Sequence, residues 1–112
     1  MASELSGRNS VSLNVESMSN HAKTVLLASL ASTLTICARD TYEVGTDRVV
    51  QPELLRAYNE LLHRVTGAAR DHLRGSKGYS LQDILEMLRA FGEKNGRSDE
   101  MKWALEQAAK SL

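Results

Sequence analysis

The sequence predicts an all-α protein, a small four-helix bundle with two long antiparallel helices and two shorter C-terminal helices. Three observations support this prediction. Apolar residues recur at helical spacing from residue 20 onward, Gly, Pro and Ser residues divide that stretch into four segments, and no convincing strand pair, internal repeat or low-complexity linker interrupts it. The 112 residues suffice for one domain. We therefore expect a flexible segment over residues 1–19, where VSLNV is the one short strand-like alternation, and a single helical domain over residues 20–112.

The first two predicted helices are the long ones. The first runs from about His21 to Glu43, and Gly45 is expected to be its left-handed C-cap. Pro52 then stands at the first-turn position that proline favours, and Gly75 is expected to end the second helix. The two helices are thus joined by a short connection, which favours an antiparallel pair.

The two C-terminal helices have their own start and stop signals. Ser80 and Asp83 are spaced as an acidic variant of the capping box, so a third helix is expected to begin there. Gly92 and Gly96 are expected to mark its end. Ser98 is expected to cap a fourth helix that continues to the C-terminus.

One side of the first helix forms a predicted core stripe, consisting of Leu27, Leu30, Ala31, Leu34, Cys37 and Ala38. The reverse side carries Val25, Ser29, Ser32 and Ile36, and Lys23 is the only Lys, Arg, Asp or Glu between His21 and Arg39. A helix with so little charge is usually covered on more than one side. Either the third and fourth helices or another subunit would cover this face. The run is too short and too rich in Ser and Thr to predict a membrane span.

The second helix is strongly two-sided. Its predicted core stripe consists of Leu54, Leu55, Tyr58, Leu61, Leu62, Val65, Ala69 and Leu73. The opposite side is basic, with Arg56, His63 and Arg70 at seven-residue spacing and Arg74 beside them. Such a stripe would suit phosphates or an acidic partner. The alternative is a solvated face in which Glu60 and Arg64 pair one turn apart.

The connection between the long helices carries a candidate polar hinge. Arg39, Tyr42 and Asn59 are expected to lie near one another at the junction, and Arg39 and Glu43 are spaced one helical turn apart. Polar groups at helix junctions usually satisfy free backbone ends. A hydrogen-bonded hairpin is therefore favoured over a ligand site.

Catalytic and metal sites find little support. Glu60 and His63 have the Glu-x-x-His spacing of di-iron bundles, but such sites need two copies of this motif and two further glutamates. Cys37 lies within the apolar stripe, where a buried thiol behaves as a small hydrophobic group. Neither a phosphate loop nor a nucleophile elbow is present. We therefore predict no metal and no cofactor, and we favour a non-enzymatic role over catalysis.

Charge and cysteine content indicate the environment. The 14 basic residues balance the 14 acidic residues, so net charge gives no support to nucleic-acid or anionic-lipid binding. A single cysteine excludes an intramolecular disulfide and favours a reducing cytoplasm. The first residues lack the features of a secretory signal.

The pattern RDTYEVGTD over residues 39–47, followed by PELLRAYNELLHRV over residues 52–65, resembles a group of small uncharacterised bacterial helical proteins. The resemblance covers about residues 22–66. It implies a bacterial, helical, non-secreted protein and brings no activity or catalytic residue with it.

These observations predict a small cytoplasmic interaction or regulatory module that acts by binding a protein partner and forms a homodimer through the first helix. The first alternative is a nucleic-acid-associated regulator that uses the basic face of the second helix. A metal-binding helical protein is the second alternative. No membrane association is expected.

Overall fold

A computed structural model describes residues 14–112. Its four α-helices are α1 (Asn20–Cys37), α2 (Pro52–Arg74), α3 (Leu81–Asn95) and α4 (Ser98–Ala109), and two short 3-10 helices span Val15–Ser17 and Ala38–Thr41. Within residues 14–112 there is no strand, only an isolated antiparallel bridge between Tyr42 and Val49. The predicted all-α class with four helices is confirmed.

The chain packs against the core before α1 begins. Val15 and Met18 are partly buried against the core, and Ser19 is the N-cap of α1, accepting a hydrogen bond from the Ala22 amide at 3.0 Å. The packed part of the chain therefore starts ahead of the boundary expected at residue 19. Residues 1–13, which include most of the VSLNV stretch, lie outside the described residues.

The end of the first helix differs from the prediction. α1 stops at Cys37 and the chain tightens into the 3-10 helix Ala38–Thr41, so it does not continue to Glu43. Gly45 is left-handed, with φ of 77°, but it is not the C-cap of α1. It lies in a turn that is closed by the Thr46 amide donating to the Glu43 carbonyl at 3.1 Å.

The start of α2 and the limits of α3 follow the local signals. Pro52 occupies the first turn of α2, and Gly75, with φ of 70°, is its C-cap. The Asp83 amide donates to Ser80 Oγ at 3.0 Å, and the Ser80 amide donates to Asp83 Oδ2 at 3.1 Å. Both halves of the predicted capping box are therefore present. Gly96, with φ of 66°, ends α3 as predicted.

Two details of the C-terminal half were predicted wrongly. Gly92 lies inside α3 and is buried, where a Cβ atom would stand only 2.9 Å from Ser98 Cα. It marks a close approach between α3 and α4, not a helix end. Arg97 is the N-cap of α4, so Ser98 is the first helical residue and its side chain makes no capping hydrogen bond.

The core lies where α1 packs against α2 and α4. Its fully enclosed members include four leucines of α1, namely Leu26, Leu27, Leu30 and Leu34, with Tyr58 and Val65 from α2 and Ile84 from α3. Ala104 and Ala108 are buried on α4, where small side chains permit close approach to α1. Thr33 of α1 donates across this contact to the Ala104 carbonyl at 3.0 Å.

Leu73 was predicted to belong to the core stripe of α2 but is 73% exposed. It lies in the last turn of the helix, where the apolar stripe continues beyond the elements that pack on it. The helical period placed Leu73 on the correct side of α2, but burial also requires a neighbouring element.

Candidate functional site

An uncharged surface remains on α1 after α2 and α4 have packed on its opposite side. Ser32 and Ile36 are exposed, Ile36 to 58%, and Val25 and Ser29 are half-buried. Ala28 and Thr35 lie between them and are also exposed. These six residues, Val25, Ala28, Ser29, Ser32, Thr35 and Ile36, form the outer face of α1. Within residues 14–112 neither α3 nor α4 buries Ser32 or Ile36.

Two of the three hydroxyl groups on this face, those of Ser32 and Thr35, are bonded within the helix. Thr35 Oγ1 donates to the Ala31 carbonyl at 2.9 Å, and Ser32 Oγ donates to the Ala28 carbonyl at 3.5 Å. A hydroxyl that donates to a carbonyl of its own helix keeps this hydrogen bond when a second surface displaces the water around it. The outer face thus presents mainly methyl and methylene groups and few polar groups that lack a hydrogen-bond partner.

The segment Asn20–Thr41 is also long and apolar enough to span a membrane by length and composition, with a mean hydropathy of 1.3 over its best window. No membrane span was predicted from the sequence because the apolar run is short and rich in Ser and Thr, but this segment meets the length and hydropathy criteria. A core helix passes the same test. The buried leucines of α1 are the pattern expected of a core helix.

Four basic side chains of α2 lie on its exposed side. Arg56, His63, Arg70 and Arg74 are exposed along one side of a 23-residue helix. Within residues 14–112 no carboxylate lies within ion-pair distance of any of the three arginines. These four residues are called the basic stripe.

The Glu60–Arg64 pair expected beside the basic stripe is not formed. Arg64 instead donates through Nη1 to the Tyr79 hydroxyl, and its guanidinium lies 5.6 Å from the centre of the Tyr79 ring. Sequence reasoning missed this contact because Tyr79 lies outside α2, in the connection to α3. The only sequence signal was an aromatic residue in a glycine-rich turn.

The predicted polar hinge is formed in part. The Arg39 guanidinium lies 4.4 Å from the centre of the Tyr42 ring and donates to the Thr46 carbonyl at 3.3 Å. Asn59 is exposed on α2 and makes no side-chain hydrogen bond to either residue. Glu43 pairs with Arg48 at 3.4 Å and not with Arg39. The hinge is therefore local to the connection between α1 and α2.

Two titratable groups are buried where the C-terminal end of α1 meets α2 and α4. Burial, followed by the nearby Asp40 and Glu100 charges, raises the pKa of the Cys37 thiol to about 11. Burial also raises the pKa of Tyr58 to about 12. Tyr58 packs its ring 4.8 Å from that of Phe91. A thiol with a raised pKa is a poor nucleophile at neutral pH.

The Glu-x-x-His motif lies on the surface. Glu60 and His63 are both exposed, and within residues 14–112 no group of three or more His, Cys, Asp or Glu side chains is arranged to hold a metal ion. A metal usually needs at least three protein ligands at one point. The described residues do not supply such a set.

Comparison with protein-family models, with curated proteins and with solved structures finds no match to this chain. The resemblance to small bacterial helical proteins therefore stays a prediction.

Proposed function

We propose that this protein is a non-enzymatic interaction module that self-associates as a homodimer through the outer face of α1. The observation that carries the proposal is the exposure of this uncharged face, with Ile36 58% exposed, on a helix whose other side is already packed by α2 and α4. Large exposed apolar patches mark sites of protein–protein association. We further propose a bacterial cytoplasmic setting, and an antiparallel arrangement of α1 and α2.

The chemistry of the outer face favours a second copy as its occupant. A face without charge is complementary to itself, whereas a charged partner would lose solvation on contact and gain no ion pair. The formal net charge of the chain is +0, so two copies do not repel each other over distance. A two-fold axis would use every residue of the face twice.

The shape of the outer face also suits a helix pair. Ala28, Ser29 and Ser32 have small side chains, which permit close approach of two helices, and Val25 and Ile36 lie at the two ends. The 18 residues of α1 give a length of about 27 Å, enough for several turns to meet. Because the hydroxyls of Ser32 and Thr35 donate within the helix, the contact would leave few polar groups unpaired.

A pair of variants tests whether this face is the interface. Val25→Glu with Ile36→Glu places four carboxylates in the contact of a dimer, and we expect the dissociation constant to rise by about 100-fold or more. The control combines Val44→Glu with Leu73→Glu, which charges two apolar residues that are 97% and 73% exposed elsewhere. Sedimentation velocity should show wild type and control as dimers and the face variant as a monomer.

Circular dichroism checks that each variant is folded. Ser32→Glu alone, at an exposed position, repeats the test without touching the half-buried Val25. Equal masses for wild type, face variant and control would show that the outer face of α1 is not an association surface. Partition of the wild type into lipid vesicles without self-association would show that lipid is the occupant.

A further inference from the structure

A second surface, on α2, is separate from the outer face of α1. The basic stripe follows one side of the helix, and seven-residue spacing separates Arg56, His63 and Arg70 by about 10 Å each along the axis. All three are exposed, as is Arg74 in the last turn. The stripe therefore presents three arginines without a carboxylate partner from residues 14–112.

The connection after α2 brings an aromatic ring to this stripe. Gly75 is left-handed and reverses the chain, and the Ser76 amide donates to the Asp71 carbonyl at 2.9 Å. Gly78 then lies so close to Asp71 that a Cβ atom would overlap its carboxylate. As a result Tyr79 returns beside α2 and contacts Arg64 through its hydroxyl and its ring. Glycine at position 78 is what allows this approach.

Tyr79 closes one side of a cleft of about 490 Å³ that is lined by His63, Arg64, Gly67, Asp71, Gly78 and Tyr79. Tyr79 is 40% exposed, so part of its ring remains accessible. Gly67 and Gly78 add no side chains, which leaves room in the cleft for a flat group. The cleft therefore combines an aromatic surface, two basic side chains and one carboxylate.

We propose that this cleft and the basic stripe bind single-stranded nucleic acid. One unpaired base would stack on Tyr79, and the phosphates on either side would contact the basic stripe. Single-strand binding uses this combination of an aromatic platform with a positively charged surface. In a duplex the bases are already stacked, so Tyr79 would have no base to bind.

The Asp71 carboxylate favours a neutral base over an anionic group at this point of the cleft. This carboxylate lies in the cleft and repels a phosphate, a lipid headgroup or an acidic peptide side chain at that point. It can accept hydrogen bonds from the amino groups of adenine, cytosine or guanine. The order of charges, with a carboxylate inside the cleft and arginines along the helix outside it, fits a nucleotide chain whose base points inward.

Fluorescence anisotropy with short labelled DNA and RNA single strands of mixed sequence tests the proposal. We expect binding at low salt, with a logarithmic slope of about −2 against salt concentration for three arginine–phosphate contacts. Tyr79→Leu should weaken binding about tenfold, whereas Tyr79→Phe should keep it because the stacking ring remains. Arg70→Gln should weaken binding and make the salt slope shallower by about 0.7.

Lys110→Gln removes an exposed positive charge from the residue after α4 and should leave both the affinity and the slope unchanged. Equal affinity for duplex and single strand, or full affinity in Tyr79→Leu, would overturn the stacking site. Binding to anionic vesicles or to a polyglutamate peptide without binding to either nucleic acid would overturn the proposal as a whole. Circular dichroism on each variant ensures that a loss of binding does not come from unfolding.

Discussion

Two glycines inside helices are predicted to respond in opposite directions to the same substitution. In Gly92→Ala the new methyl group would lie 2.9 Å from Ser98 Cα and 3.1 Å from the Ser98 amide nitrogen, both of them backbone atoms of the first residue of α4. In Gly67→Ala the nearest atom is Nη2 of Arg70, at an ordinary contact distance of 3.8 Å. Both variants gain the higher helix propensity of alanine, but only in Gly92→Ala does the new methyl group approach a backbone too closely.

Two opposing contributions determine how each substitution changes the free energy of unfolding. Alanine in place of glycine inside a helix contributes up to about 1 kcal/mol. Overpacking against a neighbour that cannot rotate away costs about 1–3 kcal/mol. Gly67→Ala should therefore raise the free energy of unfolding by up to about 1 kcal/mol. Gly92→Ala should lower it by up to about 2 kcal/mol, because α4 has to move away from α3.

Urea and thermal denaturation, followed by far-ultraviolet circular dichroism, measure the two effects. At about 4 °C of Tm for each kcal/mol, the two variants should differ in Tm by as much as about 12 °C. If Gly92→Ala stabilised the protein as much as Gly67→Ala does, the close contact between α3 and the start of α4 would be wrong.

Two further predictions concern a helix start and a buried thiol. Ser80→Ala should lower the free energy of unfolding by about 1 kcal/mol because it removes one half of the capping box with Asp83, whereas Ser98→Ala should change it little because Ser98 caps nothing; equal losses in urea denaturation would contradict this. Burial raises the pKa of Cys37 from 9.0 to about 11, so the unfolded chain ionises first. The part of the free energy of unfolding that depends on the neutral thiol is complete below pH 9 and is lost as pH rises through 11. This loss should be absent when the stability of Cys37→Ala is measured against pH.

Sequence reasoning succeeded where the signal is local. The capping box of Ser80 and Asp83, the start of α2 at Pro52 and its end at Gly75 depend only on residues a few positions apart. The chemistry of these residues determines the backbone nearby, whatever packs against it. The four helices of the all-α fold were predictable for the same reason.

It failed where a distant segment decides the outcome. The sequence predicted that Gly92 marks the end of α3. Glycine is required there because the Ser98 backbone of α4 packs closely against α3. Leu73 has the correct helical period but no neighbour to cover it. Tyr79 reaches Arg64 only because the connection after Gly75 folds back along α2. Helical periodicity describes one helix at a time, so contacts between segments lie beyond it.

The mass of the unmodified protein in solution shows directly whether the outer face of α1 pairs with a second copy. Light scattering on a dilution series should give twice the 12.4 kDa of one chain at high micromolar concentration and should fall toward one chain on dilution. A mass of 12.4 kDa at every concentration would rule out the proposed homodimer, because Ile36 and its neighbours would then face solvent in the folded protein.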